Sequence, residues 1–200
     1  LIISGSLTDN LAKDLVVRLD NFPLSTLKDL SPEKNETLEQ LSGLVSDVKI
    51  SINGSFDEPN IELLSHLKDI KLEKDSIGDV DLQINYADKM ANGHIRLATN
   101  ILQNKKAMVD MNIISLPLNI PPDSTGNVFI KNRRLNIQAK AEKFPLEIAQ
   151  LFLTQGIKEL SGNADLFLEI GGYAPDEIEF NGFINLNDSH FLVEATNIDY

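Results

Sequence analysis

Chemistry in this chain would start with its three histidines, since imidazole is a common general base and metal ligand near neutral pH. His66, His94 and His190 lie far apart and have neither the HExxH nor the HxH spacing that brings two imidazoles to one metal. The chain has no cysteine, which excludes thiol nucleophiles and cysteine metal sites. It also lacks the GxSxG, GxGxxG and Walker-type loops that present a nucleophile or bind phosphate.

Acidic residues are the next candidates for chemistry. Asp75, Asp79 and Asp81 are close in sequence but do not follow the Asp-x-Asp-x-Asp-Gly order of a calcium loop, so we predict a solvated strand entry there. Asp57-Glu58 and Asp176-Glu177 each adjoin a proline at equivalent positions of a repeat, which is typical of turns and not of an acid/base pair. The sequence therefore predicts no catalytic residue, no metal and no cofactor, and a protein that is not an enzyme.

Overall charge excludes one class of partner. The net charge is −12, from 30 acidic and 18 basic residues, whereas binding to nucleic acid depends on clustered Lys and Arg. The only basic clusters are Lys105-Lys106 and the segment 131–134, which we interpret as solvated turns. No apolar stretch approaches the roughly 20 residues that span a bilayer. Because the chain begins with Leu1 and not with Met, we expect it to be part of a longer protein.

The elements that would carry a function are strands with alternating apolar and polar residues. Val48, Ile50 and Ile52, for example, alternate with polar neighbours, and we count about 13 such candidate strands. Turn signals such as Asn53-Gly54 and Asn92-Gly93 separate the runs. Alternation predicts a mainly β fold, in which an antiparallel sheet has one apolar face and one wet face.

A long internal repeat organises this pattern. Phe22-Pro23-Leu24 begins a segment that ends at Leu41-Ser42-Gly43, and the segment Phe144 to Gly162 has the same beginning and end. We therefore predict a single elongated segment over residues 1–200, with internal repeats of roughly 120 residues over about 14–66 and 136–200. Residues 23–40 and 145–160 break the alternation, and we predict one or two short helices there.

An apolar sheet face has to be covered by something. A closed sandwich would cover it with a second sheet, whereas an open groove would leave it to an apolar ligand. Under the groove hypothesis, the residues that line the apolar interior are Val48, Ile50, Ile52, Val80, Leu82, Ile84, Val109, Met111, Ile113, Leu166, Leu168 and Ile170. The pattern of residues leaves both possibilities open.

The order of these features resembles the TamB family of bacterial envelope proteins. The resemblance rests on Phe-Pro-Leu, a short helix, Leu-Ser-Gly, an alternating strand and a glycine turn with proline, and it is clearest from Phe144 to Tyr200. It implies an elongated, curled antiparallel sheet, often called a β-taco, which forms an open groove like that of AsmA-like and bridge-like lipid-transfer proteins.

The resemblance also implies a function. Family members lie in the periplasm of Gram-negative bacteria, are anchored in the inner membrane and reach an outer-membrane barrel of the Omp85 type, through parts that this chain does not include. Their groove is implicated in carrying phospholipid acyl chains between the two membranes and in supporting outer-membrane assembly. An alternative is a periplasmic scaffold or chaperone that offers its sheet edges to outer-membrane β-barrel proteins by β-augmentation.

Overall fold

A computed structural model describes residues 1–26, 40–72, 75–99, 107–122, 126–150, 157–193 and 198–199. It contains eleven strands and one short α-helix. The strands are β1 (Ile2–Thr8), β2 (Leu11–Pro23), β3 (Leu41–Ser55), β4 (Pro59–Leu72), β5 (Asp75–Ala87), β6 (Met90–Thr99), β7 (Ala107–Pro117), β8 (Leu135–Pro145), β9 (Ile157–Tyr173), β10 (Glu177–Val193) and β11 (Ile198–Asp199), and the helix is α1 (Leu146–Gln150).

The strands form a single antiparallel sheet in which each strand pairs with the next one in sequence, from β1 to β11. This confirms the predicted mainly β fold and its open antiparallel sheet. The sheet is uncurled, so the predicted curl is not a feature of this fold. Among the described residues, extensive contacts run only between consecutive strands and between α1 and β9, so no contact of this kind draws the two edges of the sheet together.

In the described part of the chain the strands are fewer and longer than predicted, eleven against about 13. Asn53-Gly54 lies inside β3 and Asn92-Gly93 inside β6, so neither pair forms a turn. The turn between β5 and β6 is instead made by Asp88 and Lys89, both of which have positive φ angles as a two-residue hairpin turn requires.

Both predicted helices begin where a strand ends in proline. Residues 24–26 form one 3₁₀ turn after β2, and residues 27–39 of the first predicted helix lie outside the described part of the chain. The second predicted helix, 145–160, is confirmed over Leu146–Gln150 as α1 and is wrong over 157–160, where β9 has begun, whereas 151–156 lie outside the described residues. No helix in the described ranges has the length and apolarity to span a membrane.

The 3₁₀ turn and α1 lie at the same end of the sheet, which we call the helix end. Leu24 is buried there in a cluster of apolar residues, and Leu146 is buried in a second cluster with Leu160 and Ala164. The other buried members of the first cluster are Val45, Ile70, Leu72 and Ile77. Helical turns after Pro23 and Pro145 therefore pack onto the sheet in the same way in both repeats.

Along several strands the apolar residues switch from odd to even positions, or the reverse. A β-bulge at each switch keeps their side chains on one face of the sheet. In β8, apolar residues occupy odd positions up to Ala141, and Phe144 then continues on the same face after a register shift. Lys143, at this shift, has φ 51°, and Asp69 has the same φ at a shift in β4. Since a one-residue slip would otherwise turn the apolar set towards the wrong face, each bulge preserves the two-faced sheet.

Bulged main-chain N–H groups need an acceptor, and side chains of the adjacent strand supply it. The N–H of Lys143 donates to Asp165 Oδ1 at 2.7 Å, and the N–H of Asp69 donates to Asp79 Oδ1 at 2.9 Å. In β2, the N–H of Asp14 donates to Asn53 Oδ1 at 2.7 Å. Three bulges are thus fixed by the same kind of bond, which explains why polar residues stand at these strand positions.

We expect Asp165→Ala to lower the free energy of unfolding by about 1 kcal/mol, because it removes the acceptor of the Lys143 N–H group. Asp165→Asn keeps a side-chain oxygen at the same place, and we expect it to recover most of the loss. Urea denaturation of the two variants measures the difference. Equal losses for the two substitutions would contradict this role for the Asp165 oxygen.

Candidate functional site

The candidate site is one whole face of the sheet, which we call the apolar face. Cross-strand pairing brings apolar residues of successive strands side by side, in rows that run across the strands. The central row reaches from β1 to β10 and consists of Ile3, Val17, Ile50, Leu63, Ile84, Gly93, Ile113, Ile137, Ile170 and Phe180.

Further rows flank the central row. Towards the helix end, a row of nine residues from β2 to β10 contains only apolar side chains: Phe22, Val45, Leu67, Val80, Leu97, Val109, Ala141, Leu166 and Ile184. Between it and the central row lie Leu19, Val48, Ser65, Leu82, Ile95, Met111, Ala139, Leu168 and Gly182. At the opposite end a shorter row contains Leu15, Ile52, Ile61, Tyr86, Ala91 and Leu116.

All twelve residues predicted to line a groove lie on the apolar face, in these four rows. Each of them is half-buried and so less covered than the core of a closed sandwich, and residues of the opposite face such as Lys49 and Glu169 are half-buried as well. Neighbours in the row shield the predicted lining residues on two sides, and the side away from the sheet is where a ligand would lie. Their predicted role in lining a lipid path stays a prediction.

The apolar face is large. Strands spaced about 4.8 Å apart give the central row a length of about 43 Å, and rows spaced by two residues give the four rows a width of about 20 Å. The resulting area exceeds the roughly 300–600 Å² of the largest apolar patch on a typical soluble monomer. A surface of this size is expected to be covered in the working protein.

Among the residues that the structure describes, cover over the apolar face is found at the two ends of the strands. At the helix end, Leu24 and Leu146 pack onto the face. At the other end, which we call the turn end, the Tyr86 hydroxyl donates to the Leu118 carbonyl at 3.1 Å and accepts from the Ile120 N–H at 3.0 Å. This holds the start of the β7–β8 connection over Tyr86, which is buried. No second sheet lies over the middle rows in the part of the chain that the structure describes.

The opposite face, which we call the polar face, carries paired charges. His66 Nδ1 lies 2.5 Å from Asp81 Oδ1 on the adjacent strand. Asp110 Oδ1 accepts from Arg96 Nε at 3.1 Å and lies 3.0 Å from His94 Nε2. Partial desolvation raises the pKa of Asp110, but the hydrogen bonds and charges of Arg96 and His94 outweigh it and hold that pKa below its usual value. These pairs tie neighbouring strands together.

Of the residues considered for chemistry, His66, His94 and Asp81 come together, since all three line one cavity on the polar face. His66 and His94 bond carboxylates of adjacent strands, and Asp79 accepts from a bulged main-chain N–H group. Within the described ranges, no group of three or more His, Asp or Glu side chains has the arrangement of a metal site. The described residues offer an extended apolar surface on one side of the sheet and a charged surface on the other. Comparison with models of protein families, with curated proteins and with solved structures finds no match to this chain.

Some residues of the apolar face are absent from the predicted lining, although they belong to the same rows. Leu63, Ile95 and Ile137 lie directly between predicted lining residues. The same two-residue alternation is present around Leu63 and Ile95, so extending it to every strand would have found them. Val45 and Phe144 could be found only by recognising that a bulge shifts the apolar residues from even to odd positions, or the reverse.

We expect the Asp110 pairs to stabilise the fold above about pH 4 and to lose this effect as the pH falls through the lowered pKa of the folded state. A carboxyl group whose pKa is lower in the folded than in the unfolded state binds fewer protons when the protein is folded. Folding stability therefore rises with pH through this range. Asp110→Asn should therefore reduce stability at neutral pH and have little effect in acid.

Urea denaturation of wild type and Asp110→Asn at several pH values measures this dependence. Asp9→Asn is a suitable control, because Asp9 lies in the β1–β2 turn with φ 47°, a conformation that Asn also adopts. A stability difference between wild type and Asp110→Asn that does not change between neutral and acidic pH would contradict the expectation.

Proposed function

We propose that this chain is a segment of a TamB-like envelope protein whose apolar face carries phospholipid acyl chains between the inner and outer membranes and so supports outer-membrane assembly. The proposed setting is the periplasm of a Gram-negative bacterium, with an inner-membrane anchor and an Omp85-type barrel contacted by other parts of the protein. The role is one of binding and conduction, without a catalytic step. The observation that supports it is the central row from Ile3 to Phe180, in which every position is apolar and Gly93 alone has no side chain.

The energetics favour an acyl ligand on such a row. Burial of a methylene contributes about 0.8 kcal/mol, so a chain lying on the face with one side covered gains about half of that per methylene. Ten or more methylenes together would gain several kcal/mol, and the polar headgroup would stay in water. The gain is spread over many side chains, and no single one of them has to hold the lipid.

The same arrangement allows movement. Successive strands present similar side chains in the central row, for example Ile113, Ile137 and Ile170 on three consecutive strands. A ligand that shifts by one strand therefore exchanges one apolar contact for an equivalent one. A path with many similar positions suits transport better than a single deep pocket, in which a lipid would be trapped.

A photo-crosslinking residue at Ile50 or Leu168 is expected to capture co-purified phospholipid, since both positions lie in the apolar rows. The neighbouring positions Lys49 and Glu169 lie on the polar face and are matched controls that should give no lipid adduct. Mass spectrometry of the crosslinked protein identifies the adduct. Equal capture at both members of a pair, or no capture at any position, would contradict the proposal.

We expect Leu168→Arg to weaken binding of a fluorescent fatty acid by about tenfold or more, because it places a charge among the apolar rows. The sheet should still form, since position 168 is half-buried and an arginine can extend into solvent. Asn181→Arg on the polar face is the control and should bind normally. Circular dichroism of both variants separates lost binding from lost folding, and unfolding by Leu168→Arg would favour a closed core.

A second candidate function is that of a scaffold for β-barrel proteins, and the two edges of the sheet support it. All seven residues of β1 are exposed, and the described pairing of β10 with β11 is limited to Leu192 and Val193. Exposed strand edges can accept an added strand through main-chain hydrogen bonds. Crosslinking from β1 to outer-membrane barrel segments, without lipid capture at Ile50, would favour the scaffold over lipid conduction.

A further inference from the structure

The polar face changes character where it crosses β8, β9 and β10. Cross-strand pairing places nine of its residues in three rows, with one residue from each strand in every row. Strand geometry makes this area about 14 Å long and about 10 Å wide. We call it the three-strand patch, and its rows are Lys140, Phe167 and Phe183; Gln138, Glu169 and Asn181; and Asn136, Gly171 and Glu179.

An aromatic pair occupies the first row of this otherwise polar patch. The ring centroids of Phe167 and Phe183 are 6.2 Å apart, and the ring planes are tilted by 31°. Phe183 is 55% exposed. The face of an aromatic ring carries partial negative charge, which attracts the weakly positive C–H groups on the face of a sugar ring. Phe183 is therefore available as a stacking platform.

The third row contains a cavity of about 180 Å³ beside Gly171. The backbone does not require glycine at this position, because a Cβ there would lie 3.6 Å from its nearest neighbour, Arg134 Nη2, at an ordinary contact distance. At Gly172, by contrast, φ is 99° and a Cβ would collide with the Glu177 carbonyl oxygen. Gly171 thus leaves open a space that a side chain could fill.

The cavity has an unused hydrogen-bond acceptor in its wall. Asn136 Oδ1 is buried and has no hydrogen-bond partner among the described residues. A buried acceptor without a donor is unfavourable, so a ligand that supplies an O–H or N–H group gains from meeting it. Asn181 and Glu169 line the same cavity, and together these side chains offer both donors and acceptors, as hydroxyl groups require.

Charges in and beside the patch nearly cancel, which favours a neutral ligand. Arg134 Nη2 lies 3.5 Å from Glu179 Oε2, and Lys140 Nζ lies 2.7 Å from Glu142 Oε1. The Glu169 carboxylate remains, and its Oε1 accepts from Gln138 Nε2 at 3.1 Å. An anionic ligand would meet this carboxylate without meeting a cation that lacks a partner.

We propose that the three-strand patch binds a neutral oligosaccharide. One sugar ring would stack on Phe183, and hydroxyl groups of the next rings would bond the side chains of Glu169 and Asn181 and reach Asn136 Oδ1 in the cavity. The patch lies on the face opposite to the apolar rows, so this inference goes beyond the proposed acyl path and does not depend on it. Both ligands could be bound at the same time.

The test is isothermal titration calorimetry of the 200-residue chain with chitotetraose and with maltotetraose, two neutral oligosaccharides that differ in linkage and substituents. At least one of them should bind. Tetragalacturonate has the same number of rings but carries carboxylates, and it should bind about tenfold more weakly than the better neutral probe. The proposal would be overturned if neither neutral probe binds, or if tetragalacturonate binds as tightly as the better one.

Phe183→Ser should weaken binding of the better neutral probe about fivefold, because it removes one stacking contact. The matched control is Phe180→Ser, the same change on the same strand at an exposed position of the apolar face. It should bind the oligosaccharide like wild type. Equal losses in the two variants would overturn the proposal in favour of a general effect on β10.

Gly171→Val separates binding from folding. Valine suits a strand better than glycine does and would fill the cavity, so the midpoint of urea denaturation should equal or exceed that of wild type while oligosaccharide binding weakens about tenfold. Asn136→Ala removes the unpaired acceptor without adding volume, and it should weaken binding about fivefold. Wild-type affinity in both variants would overturn the proposal.

Binding of a fluorescent fatty acid is measured separately and should be unchanged in Phe183→Ser and Gly171→Val, because neither residue lies on the apolar face. Fatty-acid binding without oligosaccharide binding would overturn the oligosaccharide site and leave the conduction proposal standing. Oligosaccharide binding without fatty-acid binding would support the site and contradict acyl conduction.

Discussion

Everything in this structure depends on the strand register that keeps apolar side chains on one face of the sheet. A slip of one residue between any two strands would break every row at that point, because successive side chains point to opposite faces. Where the apolar residues switch between odd and even positions, a bulge accommodates the extra residue and the register is kept, as at Lys143 in β8 and Asp69 in β4. Side-chain oxygens of Asp165 and Asp79 fix these bulges, so a small number of polar contacts maintains the continuity of an apolar surface about 43 Å long.

A single layer of strands has few other sources of stability. The middle rows are only half-buried, and their burial comes from neighbours within the sheet. Full burial is found mainly at the two ends of the strands, around Leu24 and Leu146 where helical turns pack onto the face, and at Tyr86, Ala91 and Leu135 at the turn end. On the polar face, pairs such as His66–Asp81 add contacts between adjacent strands. The proposed ligand would contribute further burial over the middle rows, so lipid binding and stability of the sheet would depend on the same side chains.

Alternation was sufficient to predict the class of fold and the face on which residues such as Ile50 and Leu168 lie, because cross-strand pairing follows the two-residue period. It could not predict how many strands there are. Asn92-Gly93 has the composition of a turn, yet Gly93 lies in the central row between Ile84 and Ile113, where adjacent strands pack closely. The turn falls instead at Asp88-Lys89, which adopts the required positive φ angles without glycine. A local pattern could also not predict that the sheet is uncurled, since curling depends on contacts between distant strands.

Packed side chains bound the apolar face at both ends of its strands. Leu24 and Leu146 pack over the helix end, and the start of the β7–β8 connection lies over Tyr86 at the turn end. Movement along a strand therefore meets packed side chains at its ends, whereas in the described part of the chain no segment crosses the central row between β1 and β10. An acyl chain bound as proposed would have one unobstructed direction, which runs across the strands along the row. The repeated helical turns, which interrupt the alternation in the sequence, would act in this arrangement as the side wall of the path.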